Sequence, residues 1–138
     1  MEISLQTEDF YPENIIQNLQ NSMKTSCGAM ATFMGFVKDH SQASNVMTLE
    51  IEHFPEMSLS CLQEIAYKVS DKWDIDNIVI IHRYGLLKKG ERIVFVGVTA
   101  SSRYHACGAV DESMCEIKTK VPLWKKEHTD KGSYWVYT

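Results

Sequence analysis

Apolar residues recur along this chain with two spacings, one of period two and one near 3.6 residues, and the switches between them outline the elements. Ile3 and Leu5, each between polar neighbours, predict a weak first strand. Pro12 opens a short helix with Ile15, Ile16 and Leu19 at helical spacing, and Cys27-Gly28 lies beyond its end. Residues 28–38 (GAMATFMGFVK) are small, aromatic and β-branched and predict a mostly buried strand, with Gly35 marking a bulge or a close backbone approach. Residues 39–45 (DHSQASN) are polar and read as a loop. Met47, Leu49, Ile51 and His53 alternate through a strand over 46–54.

Pro55 begins the clearest helix, with Leu62, Ile65, Ala66, Val69 and Trp73 on one face. Residues 78–82 and 92–99 are β-branched strands, and Lys88-Lys89-Gly90-Glu91 within the intervening 85–91 reads as a hairpin turn. A third helix over about 102–120 turns Ala106, Val110, Met114 and Ile117 inward and stops at Val121-Pro122, because a residue before proline disfavours the helical region. The aromatic tail 123–138 predicts one or two short strands. The order β-α-β-β-α-β-β-α-β, with hairpins among helices, implies an α+β fold: a single domain, 1–138, of mixed or antiparallel sheet with about three helices.

Composition narrows the function. At 138 residues and 44% apolar, with no repeat or linker, the chain reads as one globular domain. No apolar run reaches the ~20 residues a membrane span needs, and MEISLQTEDF lacks the basic start and apolar stretch of a secretory signal. A cytoplasmic protein is expected. The net charge of −4 argues against general nucleic-acid binding. That number hides a split: residues 1–82 hold 4 basic and 12 acidic side chains, residues 83–138 hold 10 basic and 6 acidic. A local cationic pocket for a small anion fits the second part.

The four cysteines form no C-x-x-C pair and the five histidines no H-x-x-x-H, so no local motif proposes a metal site. His53 and His82, on strands among apolar neighbours, read as satisfied core histidines. No P-loop, G-x-G-x-x-G or G-x-S-x-G is present. The densest basic stretch is residues 118–127 (KTKVPLWKKE). A lysine in the last turn of a helix also meets the carbonyl end of the dipole, so Lys118 has an ordinary structural explanation. A functional one requires Lys118 and Lys125 to converge across the proline bend, with Arg103 close. Two neighbouring ammonium groups then favour the neutral form of one, which suits proton transfer or nucleophilic attack, and the three could hold a phosphate or carboxylate. Ser101 and Ser102 sit at a strand-to-helix junction where capping is their simplest role.

Taken in order, Phe33-x-Gly35-x-Val37-Lys38, Leu49-Glu50-Ile51-Glu52-His53-Phe54-Pro55-x-Met57, Ile81-His82-Arg83-x-Gly85-x-Leu87, Gly90-Glu91-x-Ile93-Val94-x-Val96, Lys118-x-x-Val121-Pro122-x-Trp124-Lys125-Lys126-Glu127 and Gly132-x-x-x-Trp135-Val136 resemble the large, catalytic subunit family of molybdopterin synthase. The resemblance covers 28–136 and implies an α/β-hammerhead-like fold. It implies sulfur transfer from the C-terminal thiocarboxylate of a small ubiquitin-like subunit to cyclic pyranopterin monophosphate (precursor Z). The product is the dithiolene of molybdopterin, in molybdenum cofactor biosynthesis. It also implies a homodimer within a heterotetramer, with neither metal nor cofactor needed. By resemblance Lys118 and Lys125 are catalytic, and Phe36, Val37, Lys38, Ser102, Arg103, Lys126 and Glu127 join them in substrate binding.

Three positions depart from the family. Lys38 stands where arginine is usual, keeping the charge but losing a bidentate contact. Ser102 stands where histidine is usual, and relatives continue beyond the Trp-Val element with a basic tail where this sequence ends at Thr138. Two other classes are compatible with the residues: a non-catalytic subunit docking a ubiquitin-like tail, and a lysine enzyme forming a Schiff base with a carbonyl metabolite.

Overall fold

The computed structural model describes residues 1–41 and 44–136. Among them are three helices and nine strands: β1 (Glu2–Gln6), α1 (Pro12–Ser22), β2 (Ala29–Phe36), β3 (His40–Ser41), β4 (Ser44–His53), α2 (Pro55–Trp73), β5 (Asn77–Arg83), β6 (Gly85–Lys88), β7 (Arg92–Ala100), α3 (Arg103–Lys120), β8 (Leu123–Thr129) and β9 (Gly132–Val136). The α+β expectation holds. None of these helices is long and apolar enough to cross a membrane.

One sheet has the order β1-β5-β7-β2, with β1 parallel to β5 and the other pairs antiparallel. β5 and β7 are central, so their residues are β-branched and buried on both faces. On one face Val79, Ile81 and Phe95 pack with Phe10 and Leu19 beside α1. On the other, Ile78, Ile80, Val96 and Val98 meet Leu62, Ile65, Ala66 and Val69 of α2 and Ala106, Ala109, Val110 and Ile117 of α3. The second sheet runs β3-β4-β8-β9, with β6 also paired to β4, and adds Leu49, Ile51 and Leu87 to that larger core.

Three local readings change. β2 is an edge strand, so it is only partly buried and leaves Phe33 and Phe36 40% and 49% exposed. Gly35 does mark a bulge: the register slips between Gly35 and Phe36, and a Cβ there would lie 2.9 Å from Val94. The polar stretch 39–45 is in part a tight pairing, His40 opposite Asn45, while Gln42 and Ala43 of the expected loop, and the last two residues of the expected tail strands, lie outside the described residues. The expected turn at Lys88–Glu91 is present, closed by the Glu91 N–H donating to the Lys88 carbonyl at 3.1 Å, but residues 85–88 before it form an additional strand, β6. Gly85 at φ +92° breaks the chain away from β5 and lets it cross to β4, where Leu87 becomes buried.

Candidate active site

The site is built where α3 ends. β7 covers about 30 Å at strand rise, and α3 folds back along it and β2 for about 27 Å at helical rise. The C-terminus of α3 therefore returns to the sheet end where β7 starts and β2 finishes. Lys118 lies in that last turn, and Lys38 follows β2 at the same end. Val121-Pro122 turns the chain directly into β8, and Lys125 is its third residue.

Strand alternation then decides which way each basic residue points. Lys125 lies opposite Ile51 of β4, so it shares the core-facing side of the sheet with a buried residue. Glu127, opposite Leu49, is on that side too. Lys126 is on the reverse face, opposite Glu50 and Trp135, with its ammonium 5.3 Å from the Trp135 ring. The expectation that Lys126 shares the Lys125 pocket is thus corrected by the pleat of β8.

Arg103 and Ser102 stand apart from the lysines within one chain. They stand at the N-terminal end of α3, and fifteen residues of helix put Arg103 about 22 Å from Lys118. Within one chain they do not meet the lysines. Ser102 makes no side-chain cap; its hydroxyl pairs with His105 Nδ1 at 2.8 Å. Of the residues nearer the lysines, Phe36 is exposed and Val37 is buried, its N–H donating to the Glu91 carbonyl at 2.9 Å.

Electrostatics set Lys125, with Lys118 beside it, apart from the other lysines. Among the described residues neither has a carboxylate partner, whereas Lys68, Lys72 and Lys120 do. Lys38, Lys88, Lys89, Lys126 and Lys131 are also without one, but Lys125 alone combines that with partial burial next to a second ammonium. Lys125 is half-buried, and that partial burial, with the neighbouring Lys118 charge second, holds its ammonium below the ordinary lysine range. A partly desolvated cation without a counter-ion is costly, and a bound anion would relieve it. An open groove of about 490 Å³ between β4 and β6, lined by Glu50, Glu52, His53, Tyr84 and Leu86 among others, contains neither lysine. Its carboxylates make it a poor anion site, and the lysine pair is the better centre.

The two histidines expected in the core, His82 and His53, differ in how their ring nitrogens are satisfied. His82 is buried and its Nδ1 lies 2.8 Å from the Arg83 carbonyl, as a satisfied core histidine should. His53 is not satisfied: its Nδ1 is buried without a partner, and its ring packs edge-on to Tyr84 at 4.1 Å. The signal for both was present in the strand alternation, which turns His53 with Ile51 and His82 with Ile80. Arg83 is structural, donating to the Thr7 carbonyl at 3.0 and 3.1 Å and to the Arg92 carbonyl at 2.9 Å. No cluster of three or more potential metal ligands occurs among the described residues.

The family model described as MoaE protein matches residues 5–120, most of the chain. The chain belongs to the MoaE family. It is 38% identical to the molybdopterin synthase catalytic subunit of Haemophilus influenzae, covering 99% of this chain and 89% of that one. The solved MoaE protein of Burkholderia ambifaria superposes with a TM-score of 0.83 at 35% identity, over 98% of this chain and 88% of the other. The Staphylococcus aureus molybdopterin synthase structure gives 0.87 at 28%, over 97% and 96%. The expected relationship to molybdopterin synthase catalytic subunits holds, and with it an enzyme of molybdenum cofactor biosynthesis. The family model stops before β8, so Lys125 lies beyond the matched segment.

Proposed function

We propose that this chain transfers sulfur from the C-terminal thiocarboxylate of a small ubiquitin-like subunit to precursor Z, generating the dithiolene of molybdopterin. The observation that carries the reading is the pair of lysines without counter-ions, Lys118 and Lys125, at one end of the main sheet. A thiocarboxylate and a pterin phosphate are both anions, and preorganised cations stabilise the negative charge that builds as sulfur is transferred. Lys118 receives the thiocarboxylate and handles the proton during sulfur delivery. Lys125 orients the pterin substrate and offsets developing charge. Lys38, at the same sheet end, adds a third cation, with Phe36, Val37 and Glu127 as the neighbouring lining.

The separation along α3 bears on assembly. Arg103 reaches a lysine pair only if a second copy presents it, so the reading places Arg103 and Ser102 in the partner chain's site within a homodimer. Exposed apolar side chains support assembly with other chains: Phe54 and Trp124 pack edge-on at 4.7 Å yet stay about half exposed, and Trp135 and Leu86 lie open on the second sheet. The complete particle in this reading is a cytoplasmic heterotetramer with one small subunit on each catalytic chain.

Reconstitution tests it. Precursor Z and the thiocarboxylated small subunit, incubated with this chain, should yield molybdopterin, and omission of the chain should abolish the product. Partner binding without product would favour a docking subunit, and borohydride trapping of a carbonyl compound on Lys125 would favour Schiff-base chemistry. Either result overturns the reading.

A further inference from the structure

β2 has the composition of an interior strand and the position of an edge. Its residues, AMATFMGF, carry neither charge nor proline and include Met30, Phe33, Met34 and Phe36. Soluble proteins commonly guard a free edge with short length, charge or proline. β1, the opposite edge, is short and carries Glu2, Ser4 and Gln6. β2 has no such guard. Among the described residues it bonds only to β7, and none of its side chains is buried.

α3 continues this uncovered surface. Glu112 and Glu116 turn to α2, and Gly108 lies against Trp73 of that helix. At about 100° per residue, Arg103, Cys107, Met114 and Lys118 form a stripe on the side of α3 away from α2. α2 packs on the β1 and β5 side of the sheet, so the stripe overhangs the free edge of β2. Phe33, opposite Val96, lies on the same face of the sheet and is 40% exposed.

The lengths of the two elements match. β2 spans about 27 Å at strand rise and α3 about 27 Å at helical rise. β2 starts opposite Ala100, where α3 begins, and finishes opposite Arg92 at the other end of the sheet. Antiparallel pairing of β2 with a second copy of itself therefore sets the start of one α3 beside the end of the other. Each α3 lies over β2 and β7 alike, so two strand spacings separate the helices, about 10 Å and close enough to pack. Arg103 then falls opposite Lys118 and Cys107 opposite Met114, because both pairs are centred between Val110 and Asp111.

We propose that two copies of this chain join through the free edge of β2, antiparallel and with their α3 stripes in contact, and that this contact delivers Arg103 to the Lys118 of the other copy. This rests on the reading that Arg103 serves a site in a second chain. The cations at the two ends of the contact repel each other and are left to hold an anion. Backbone pairing and the apolar middle, Phe33, Cys107 and Met114, hold the copies together.

Sedimentation velocity of the full-length chain tests the surface without turnover. The wild type should sediment as a dimer. Phe33→Lys and Cys107→Arg, both at positions exposed in the single chain, should each raise the dimer dissociation constant about a hundredfold or more while circular dichroism shows the fold retained. Tyr67→Lys, at an exposed position on α2, should leave it unchanged. A monomeric wild type, or two variants as dimeric as Tyr67→Lys, overturns the proposal.

Amide exchange then identifies the edge. Amides of β2 should exchange more slowly in the wild-type dimer than in monomeric Cys107→Arg, while those of β1 exchange alike in both. Equal exchange along β2 overturns the edge pairing. Reconstituted with precursor Z and the thiocarboxylated small subunit, the monomeric variants should lose about tenfold or more of turnover. Monomeric variants with full turnover overturn the delivery of Arg103, and the shared-site reading with it, whereas the interface itself is decided by sedimentation alone.

Discussion

Lys120 and Lys118 lie two residues apart in the last turn of α3, roughly 200° apart around the helix. Lys120 sits 2.6 Å from Glu116, which also takes Lys68 of α2 at 3.0 Å, and Lys72 pairs with Glu112 one turn earlier. These contacts hold Lys72 and Lys120 above the ordinary lysine range and Glu116 below the usual carboxylate range, with the carboxylate–ammonium hydrogen bonds as the leading cause. Lys118 faces Lys125 instead, and Lys125 is pushed down by burial and by that like charge. In the first group Lys68 and Lys72 pin α2 to α3 and Lys120 pairs within α3. The other waits for an anion. Residue type does not separate them; a carboxylate partner marks the first group, and partial burial beside a like charge marks Lys125 in the second.

The sharpest way to break this contrast is to remove charge from the unpaired group. Lys125→Met should lower turnover in the reconstituted system by about a hundredfold or more. Its melting temperature should hold or rise. A lysine whose folded pKa lies below its unfolded value contributes stability only at high pH and loses it as pH falls through the folded value, so at neutral pH its charge opposes folding. A calorimetric scan showing a large drop in melting temperature would place Lys125 among the structural lysines.

A second test asks whether the site is shared between copies. Lys118→Ala and Arg103→Ala, each inactive alone, should on mixing and re-equilibration recover up to about a quarter of wild-type activity. Half the dimers are then mixed, and each mixed dimer holds one intact site of two. No recovery, with subunit exchange verified, would remove Arg103 from the site.

The smaller effect concerns acid. His82 titrates near pH 4 in the fold and near 6.5 when unfolded, so its neutral form favours the native state. That contribution is complete above about pH 6.5 and is lost as pH falls toward 4, amounting to roughly 3 kcal/mol. Denaturant melts at pH 7 and pH 4.5 should show His82→Phe losing less stability on acidification than the wild type does. Equal losses would mean that His82 is not the group that charges.

The periodicity of the chain foretold the three helices, the central strands and the two lysines, because those depend on local spacing. It did not reveal β6, since Gly85 punctuates a strand and a turn alike, and only the pairing with β4 distinguishes them. Nor did it reveal that β2 is an edge, which depends on which strands fail to pair with it. Two features follow from local geometry alone. Fifteen helical residues between Arg103 and Lys118 already excluded their meeting in one chain, and strand alternation already set Lys125 and Lys126 on opposite faces. The unpaired state of Lys118 and the orphan nitrogen of His53 required the fold, because a missing partner is a fact of three dimensions.

The most direct test of the central claim compares two neighbours on one helix. Molybdopterin formation should be measured for Lys118→Ala and Lys120→Ala beside the wild type, with the same thiocarboxylated partner and precursor Z. The account predicts near-wild-type product from Lys120→Ala, which loses only its Glu116 contact, and almost none from a fully folded Lys118→Ala. Full activity in Lys118→Ala, or an equal loss in both, would contradict it.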